Sequence, residues 1–149
     1  MMRFDGKVQF RSSDRPYGPP GEAEVQRLNP QRVTQILEVT GWDSLEPGSL
    51  NLAVDDGVLD VLLKYTPALV EEGSSVNYPQ KYQHIPTLRK AYYYYSGVAS
   101  VGDKRHAVLV RRAFNPVRGR VELFASVKLT EYFGVTAGVQ VVVEINESN

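Results

Sequence analysis

The stretch "GRVELFASVKLTEYFGVTAGVQVVVEI", residues 119–145, changes its hydrophobic period twice. Over 119–127 the chain alternates: Val121, Leu123 and Ala125 fall on one side of an extended backbone, Glu122 and Phe124 on the other. Alternation then stops. Leu129, Tyr132 and Phe133 stand at i, i+3 and i+4, which predicts a short helix with all three on one face and Gly134 closing it. Residues 139–145, "VQVVVEI", return to a strand rich in β-branched residues.

Working outward, the same pattern of short strands recurs. "LRKAYYYYSGVAS" (88–100) and "HAVLVRRAF" (106–114) predict two strands, joined near Gly102-Asp103 by a short turn. Residues 4–10, "FDGKVQF", predict a first strand, and "AEVQRL" (23–28) a weaker returning one. Between them, "RSSDRPYGPPGE" (11–22) is a loop dominated by turn formers. Helix signals are strongest at 30–40: Asn29 as N-cap, Pro30 at the first helical position, Val33, Ile36 and Leu37 on one face, and Gly41 just past the end. Trp42 is expected to pack beneath that helix end. "GSLNLAV" predicts the next strand, 60–73 a short helix or irregular segment interrupted by Pro67, and 74–86 a polar loop. Many short strands joined by short turns, with two or three short helices, predict a mainly β, largely antiparallel barrel with helices plugging its ends.

The chain has 149 residues, enough for one domain with a real core, and 42% of them are apolar. It contains no cysteine, which excludes disulfides, thiolate metal sites and a cysteine nucleophile. Seventeen basic residues balance seventeen acidic ones, which argues against sequence-independent nucleic-acid binding. No apolar run approaches the length of a bilayer span, and "MMRFDGKVQF" lacks a signal-peptide core. The expectation is a cytoplasmic protein that is not bound to a membrane. With two distant histidines and no cysteine, any metal is expected to be a hard, oxygen-ligated ion such as magnesium.

Four features bear on chemistry. Tyr92 to Tyr95 in a strand put Tyr92 and Tyr94 on one face and Tyr93 and Tyr95 on the other, either as barrel wall or as a stacking surface for an aromatic ring. Arg105, His106, Arg111, Arg112, Arg118 and Arg120 are either solvated rim charges or a clamp on an anionic group. Arg111 and Arg112 are neighbours in a strand and must point to opposite faces. Glu122, set among apolar residues, calls for a neighbouring arginine or for a substrate hydroxyl. Asp55-Asp56-Gly57 reads as a turn. No Walker loop, GxGxxG, HExxH or GxSxG sequence is present.

The order of "PGSLNL" after a helix ending in Gly41, a Val-rich strand, and "RVELFASVKLTEYFGVTAGVQVVVEI" resembles the archaeal CTP-dependent riboflavin kinase family. The resemblance covers roughly residues 30–54 and 106–145, and the first strand loosely. It implies a six-stranded cradle-loop barrel that transfers a phosphoryl group from CTP to riboflavin with magnesium. Carried over position by position, Ser49 and Asn51 are expected to hold the metal, and Glu122 to orient or deprotonate the acceptor hydroxyl. Tyr94 is a candidate for contact with the ligand. Arg15 from the first loop, Arg111 and Arg112 are candidates for phosphate. The family's first loop is glycine-rich, whereas 11–22 here carries three prolines, which lack backbone donors. The second reading is a non-catalytic ligand-binding or interaction module on the same scaffold.

Overall fold

Alternation along the strands sends every second side chain inward, and the barrel follows from that rule. The computed structural model describes residues 2–9, 30–71, 92–113 and 119–146. Seven strands occur among them: β1 (Met2–Gln9), β2 (Leu50–Ala53), β3 (Leu69–Glu71), β4 (Tyr92–Val101), β5 (Lys104–Ala113), β6 (Arg120–Phe124) and β7 (Gln140–Ile145). Three helices accompany them: α1 (Pro30–Thr40), α2 (Asp56–Leu62) and α3 (Leu129–Phe133). All pairings are antiparallel, in the order β3-β4-β5-β6-β2-β1-β7, and β7 returns to β4. Six strands therefore close a barrel, as expected, and β3 is an addition. It takes the edge of β4 at Tyr92–Tyr94, while β7 takes the same edge further on at Gly97–Ser100.

The barrel interior is one apolar cluster. Phe4 and Val8 of β1, Leu50 and Leu52 of β2, Tyr95 and Ala99 of β4, Val121 and Leu123 of β6, and Val141 and Val143 of β7 all belong to it. Leu59 and Leu62 of α2 enter from one end, and Leu129 and Phe133 of α3 from the other. Those two helices plug the ends, as predicted. Helix α1 does not. It lies outside the wall, where Ile36 completes a second cluster with Tyr94, Leu109 and Phe124, flanked by Trp42, Leu45, Leu69 and Tyr92. The sheet β4-β5-β6 is thus apolar on both faces, one face towards the barrel and one towards α1. Trp42 packs on this second cluster, as its position after the helix suggested.

Several local expectations shift. Strand β1 starts two residues earlier than predicted, and β6 stops at Phe124 instead of running to 127. Asp55-Asp56-Gly57 is not a turn but the start of α2, with Asp55 extended at the N-cap position and making no side-chain cap bond. Tyr132 does not share the buried face of α3. It is 38% exposed and instead donates to the Arg105 carbonyl at 2.8 Å, its ring edge-on to His106. Helix α3 has little more than one turn, too short to bury three neighbouring large side chains against one barrel end. Gly41 and Gly134 close their helices at positive φ, +73° and +64°, as expected. At the seam, a Cβ on Gly97 would lie 2.5 Å from the Glu144 carbonyl oxygen, so only glycine lets β4 and β7 approach there. The predicted N-cap Asn29, the strand 23–28 and the loops 11–22 and 74–86 lie outside the described residues.

Candidate functional site

Strand register assembles the site. Reading across the wall, Asn51 of β2 pairs with Glu122 of β6, Glu122 with Arg111 of β5, Arg111 with Tyr94 of β4, and Tyr94 with Leu69 of β3. Because Leu50 and Leu52 face the barrel interior, Asn51 faces outward, and the same alternation turns Glu122, Arg111 and Tyr94 outward with it. Four of the predicted site residues therefore form one row on one face, beneath α1. Side chains directly opposite in such a pairing stand about 4.5–5.5 Å apart at Cβ.

All four are buried. Asn51 is 8% exposed, Arg111 3%, Glu122 8% and Tyr94 0%. A polar row in such surroundings demands partners. Arg111 Nη2 donates to Glu122 Oε2 at 2.6 Å, forming a buried ion pair. Its guanidinium also lies 4.3 Å from the centre of the Tyr92 ring and 5.0 Å from that of Phe124, a cation enclosed by aromatic faces. The Tyr94 hydroxyl donates to Glu71 Oε2 at 3.0 Å. Burial is the main cause that pushes its ionisation well above the ordinary tyrosine range; the Arg111 charge opposes this and the Glu71 charge adds to it. Glu71 in turn meets Arg32 Nε of α1 at 3.7 Å, which ties the helix to the added strand.

Asn51 Oδ1 is buried and has no hydrogen-bond partner among the described residues. Ser49, half-buried, immediately precedes β2 and stands two positions from Asn51, where an extended chain repeats its facing. Ser49, Asn51 and Glu122 carry oxygen atoms of the kind magnesium accepts, and of these Asn51 Oδ1 is buried without a hydrogen-bond partner. No group of three or more His, Asp or Glu side chains gathers among the described residues. Magnesium usually takes one or two protein carboxylates together with waters and substrate phosphates. Here the one carboxylate in the row, Glu122, is already paired with Arg111.

Arg112 takes the other face, as adjacency required. It is 4% exposed and donates from Nε to the Leu59 carbonyl at 3.0 Å and from Nη1 to the Ala113 carbonyl at 2.6 Å. The first of these bonds satisfies a carbonyl in the last turn of α2, where a cation is also favoured by the helix dipole. Arg112 is thus separated from Glu122 by the sheet itself. Arg15 lies outside the described residues.

Beside the wall, past the end of α1, a cleft of about 430 Å³ is lined by Gly41, Trp42, Asp43, Ser44 and Ser126. Trp42 links it to the outer cluster that contains Phe124 and Tyr94. Sequence reasoning missed Glu71 and Arg32. Glu71 lies 23 positions from the tyrosine it holds, and no local period marks a three-residue strand that pairs at that distance.

No known protein-family model matches the chain, and no curated protein is significantly similar to it.

Proposed function

We propose that the protein is a metal-dependent phosphotransferase of the CTP-dependent riboflavin kinase type, acting in the cytoplasm on riboflavin or a similar small molecule. One observation carries the reading. The asparagine of "PGSLN" is buried with an unpartnered carbonyl oxygen beside the strand glutamate of "RVELF", and these are two of the three positions, with Ser49, that the family resemblance singles out. An unpaired buried oxygen is costly, and a site that needs it for a ligand explains why it persists.

In this reading Asn51 Oδ1 and the Ser49 hydroxyl hold magnesium together with the nucleotide phosphates. When bound, the ion screens phosphate charge as the phosphoryl group moves. Arg111 takes Glu122 Oε2 and leaves Oε1 to accept the hydrogen bond of the acceptor hydroxyl, fixing its direction of attack. Phosphoryl transfer asks for positioning and charge stabilisation more than for covalent participation, and a rigid double-faced wall suits that demand. Tyr94 and Tyr92 brace Arg111 from β4. The cleft at Trp42 offers room and an aromatic ring for a flat heterocycle.

A second reading, a ligand-binding or interaction module without chemistry, is favoured by the internal pairing of Arg111 with Glu122 and of Tyr94 with Glu71, which is how a purely structural wall also satisfies its polar groups. One experiment separates the two. Riboflavin and FMN are titrated by fluorescence quenching, each with and without CTP and magnesium. The phosphotransferase reading expects flavin binding and conversion of riboflavin to FMN, abolished by Asn51→Ala with an unchanged circular dichroism spectrum. Absence of flavin binding at high micromolar protein removes it, and binding without turnover selects the second reading.

A further inference from the structure

Five side chains form a continuous polar relay from α1 across four strands. In the first turn of α1, Arg32 Nε meets Glu71 Oε1 of β3 at 3.7 Å. The other oxygen of that carboxylate accepts from the Tyr94 hydroxyl of β4 at 3.0 Å. Arg111 of β5 donates to the same hydroxyl oxygen, and also to Glu122 Oε2 of β6 at 2.6 Å. Cations and carboxylates alternate along the relay, and Tyr94 is its neutral link, accepting on one side and donating on the other. Each step from strand to strand follows the register β3-β4-β5-β6.

The helix at the start of this relay is lightly held. Of the eleven residues of α1 only Ile36 is buried, and it completes the cluster over Tyr94, Leu109 and Phe124. The C-terminal end is anchored more firmly. Gly41 turns the chain at φ +73°, Trp42 and Leu45 pack on the same cluster, and the Glu46 N–H donates to the Ala125 carbonyl at 2.9 Å. The first turn reaches the sheet through Arg32.

We propose that α1 is a strap, hinged at Gly41 and latched at Arg32, which seals the outer face of β4-β5-β6 and is released when the relay is broken at any link, Glu122 included. With α1 in place, Ile36, Tyr94, Leu109 and Phe124 have no exposure, so nothing reaches that part of the wall unless the strap moves. Segments that open in this way are those with few buried apolar contacts. The coupling is reciprocal: a change at Glu122 loosens α1 by as much as release of α1 loosens Glu122. The strap stands on register and side-chain geometry and is independent of the phosphotransferase reading.

Native-state amide hydrogen exchange, followed by NMR, reads the latch. Tyr94→Phe removes the hydroxyl in the middle of the relay and keeps the ring in the cluster. Glu122→Gln removes the charge at the far end. Each is expected to speed exchange in α1 by on the order of tenfold relative to the amides of β1 and β7. Arg105→Gln, which breaks the exposed ion pair with Glu144, is expected to leave α1 unchanged. Because the links act in series, the double variant Tyr94→Phe with Glu122→Gln should exchange no faster in α1 than Tyr94→Phe alone. Wild-type exchange of α1 in folded Glu122→Gln overturns the strap. So does a double variant whose acceleration is the product of the two single ones, or an equal acceleration by Arg105→Gln. Should Glu122→Gln not fold, Arg32→Met tests the relay in reverse: the side-chain carboxyl resonance of Glu122 is expected to shift, and an unmoved resonance overturns the proposal as well.

Discussion

Arg111 and Glu122 face each other in register across β5 and β6, with Nη2 and Oε2 2.6 Å apart on the outer wall of the barrel. Their side chains are 2% and 11% exposed, so the pair exchanges hydration for a close contact and an aromatic enclosure. Burial of this kind makes the pair strict about its composition.

Removing one partner is expected to hurt more than removing both. Glu122→Gln leaves a guanidinium buried without its counter-charge and should cost about 3–5 kcal/mol, whereas Arg111→Met combined with Glu122→Leu should recover most of that loss. Urea unfolding of the single and double variants measures both. A double variant no more stable than Glu122→Gln would show that the aromatic contacts of Arg111, rather than the pair, hold this wall.

Alkaline pH should loosen the fold through two tyrosines. Tyr94 and Tyr95 are both pushed above the ordinary range, chiefly by burial, with Arg111 and Arg112 respectively opposing the rise. The folded state therefore keeps both protonated at a pH where the unfolded chain, near the ordinary value of about 10, releases its protons. The unfolded state binds fewer protons, so stability is complete below about pH 10 and declines above it. Melting curves between pH 8 and 11 should show this decline, and Tyr94→Phe should flatten it by removing one of the two groups. Equal slopes in wild type and Tyr94→Phe would exclude Tyr94 as a contributor.

The barrel seam is expected to tolerate no side chain at Gly97 without loss. A methyl group at Gly97 meets the Glu144 carbonyl oxygen at 2.5 Å, with Ile145 also close, so Gly97→Ala should cost about 1–3 kcal/mol and Gly97→Val more. Gly57, in α2 with open space around it, offers the contrast: Gly57→Ala should be stabilising by up to about 1 kcal/mol. Chemical denaturation of both variants reads the difference directly. A neutral Gly97→Ala would mean that β4 and β7 can separate there without loss.

The sequence was most readable where a residue's facing depends only on its immediate neighbours. The opposite sides taken by Arg111 and Arg112, by Tyr94 and Tyr95, and by Glu122 and Leu123 all follow from period two, and all appear in the structure. The caps at Gly41 and Gly134 follow from equally local rules. What stayed hidden was set by distance along the chain. That α1 covers a wall instead of plugging an end depends on where β3 attaches, and β3 is three residues long with only one strand partner, β4. Likewise the Asp55-Asp56-Gly57 stretch has turn chemistry by itself, and it becomes a helix start because Leu59 and Leu62 have a barrel end to fill. Within the candidate site, the residue types were legible in advance but their row was not, since register between β2, β5 and β6 is fixed by pairing partners up to 73 positions apart.

The two apolar clusters share no residue, although β4, β5 and β6 feed both. Each of these strands therefore carries two interleaved messages, one for the barrel interior and the other for the outer wall beneath α1. The outward positions 94, 111 and 122 belong to the second message, and the strictness of the Arg111–Glu122 pair shows that this message too carries part of the fold's stability.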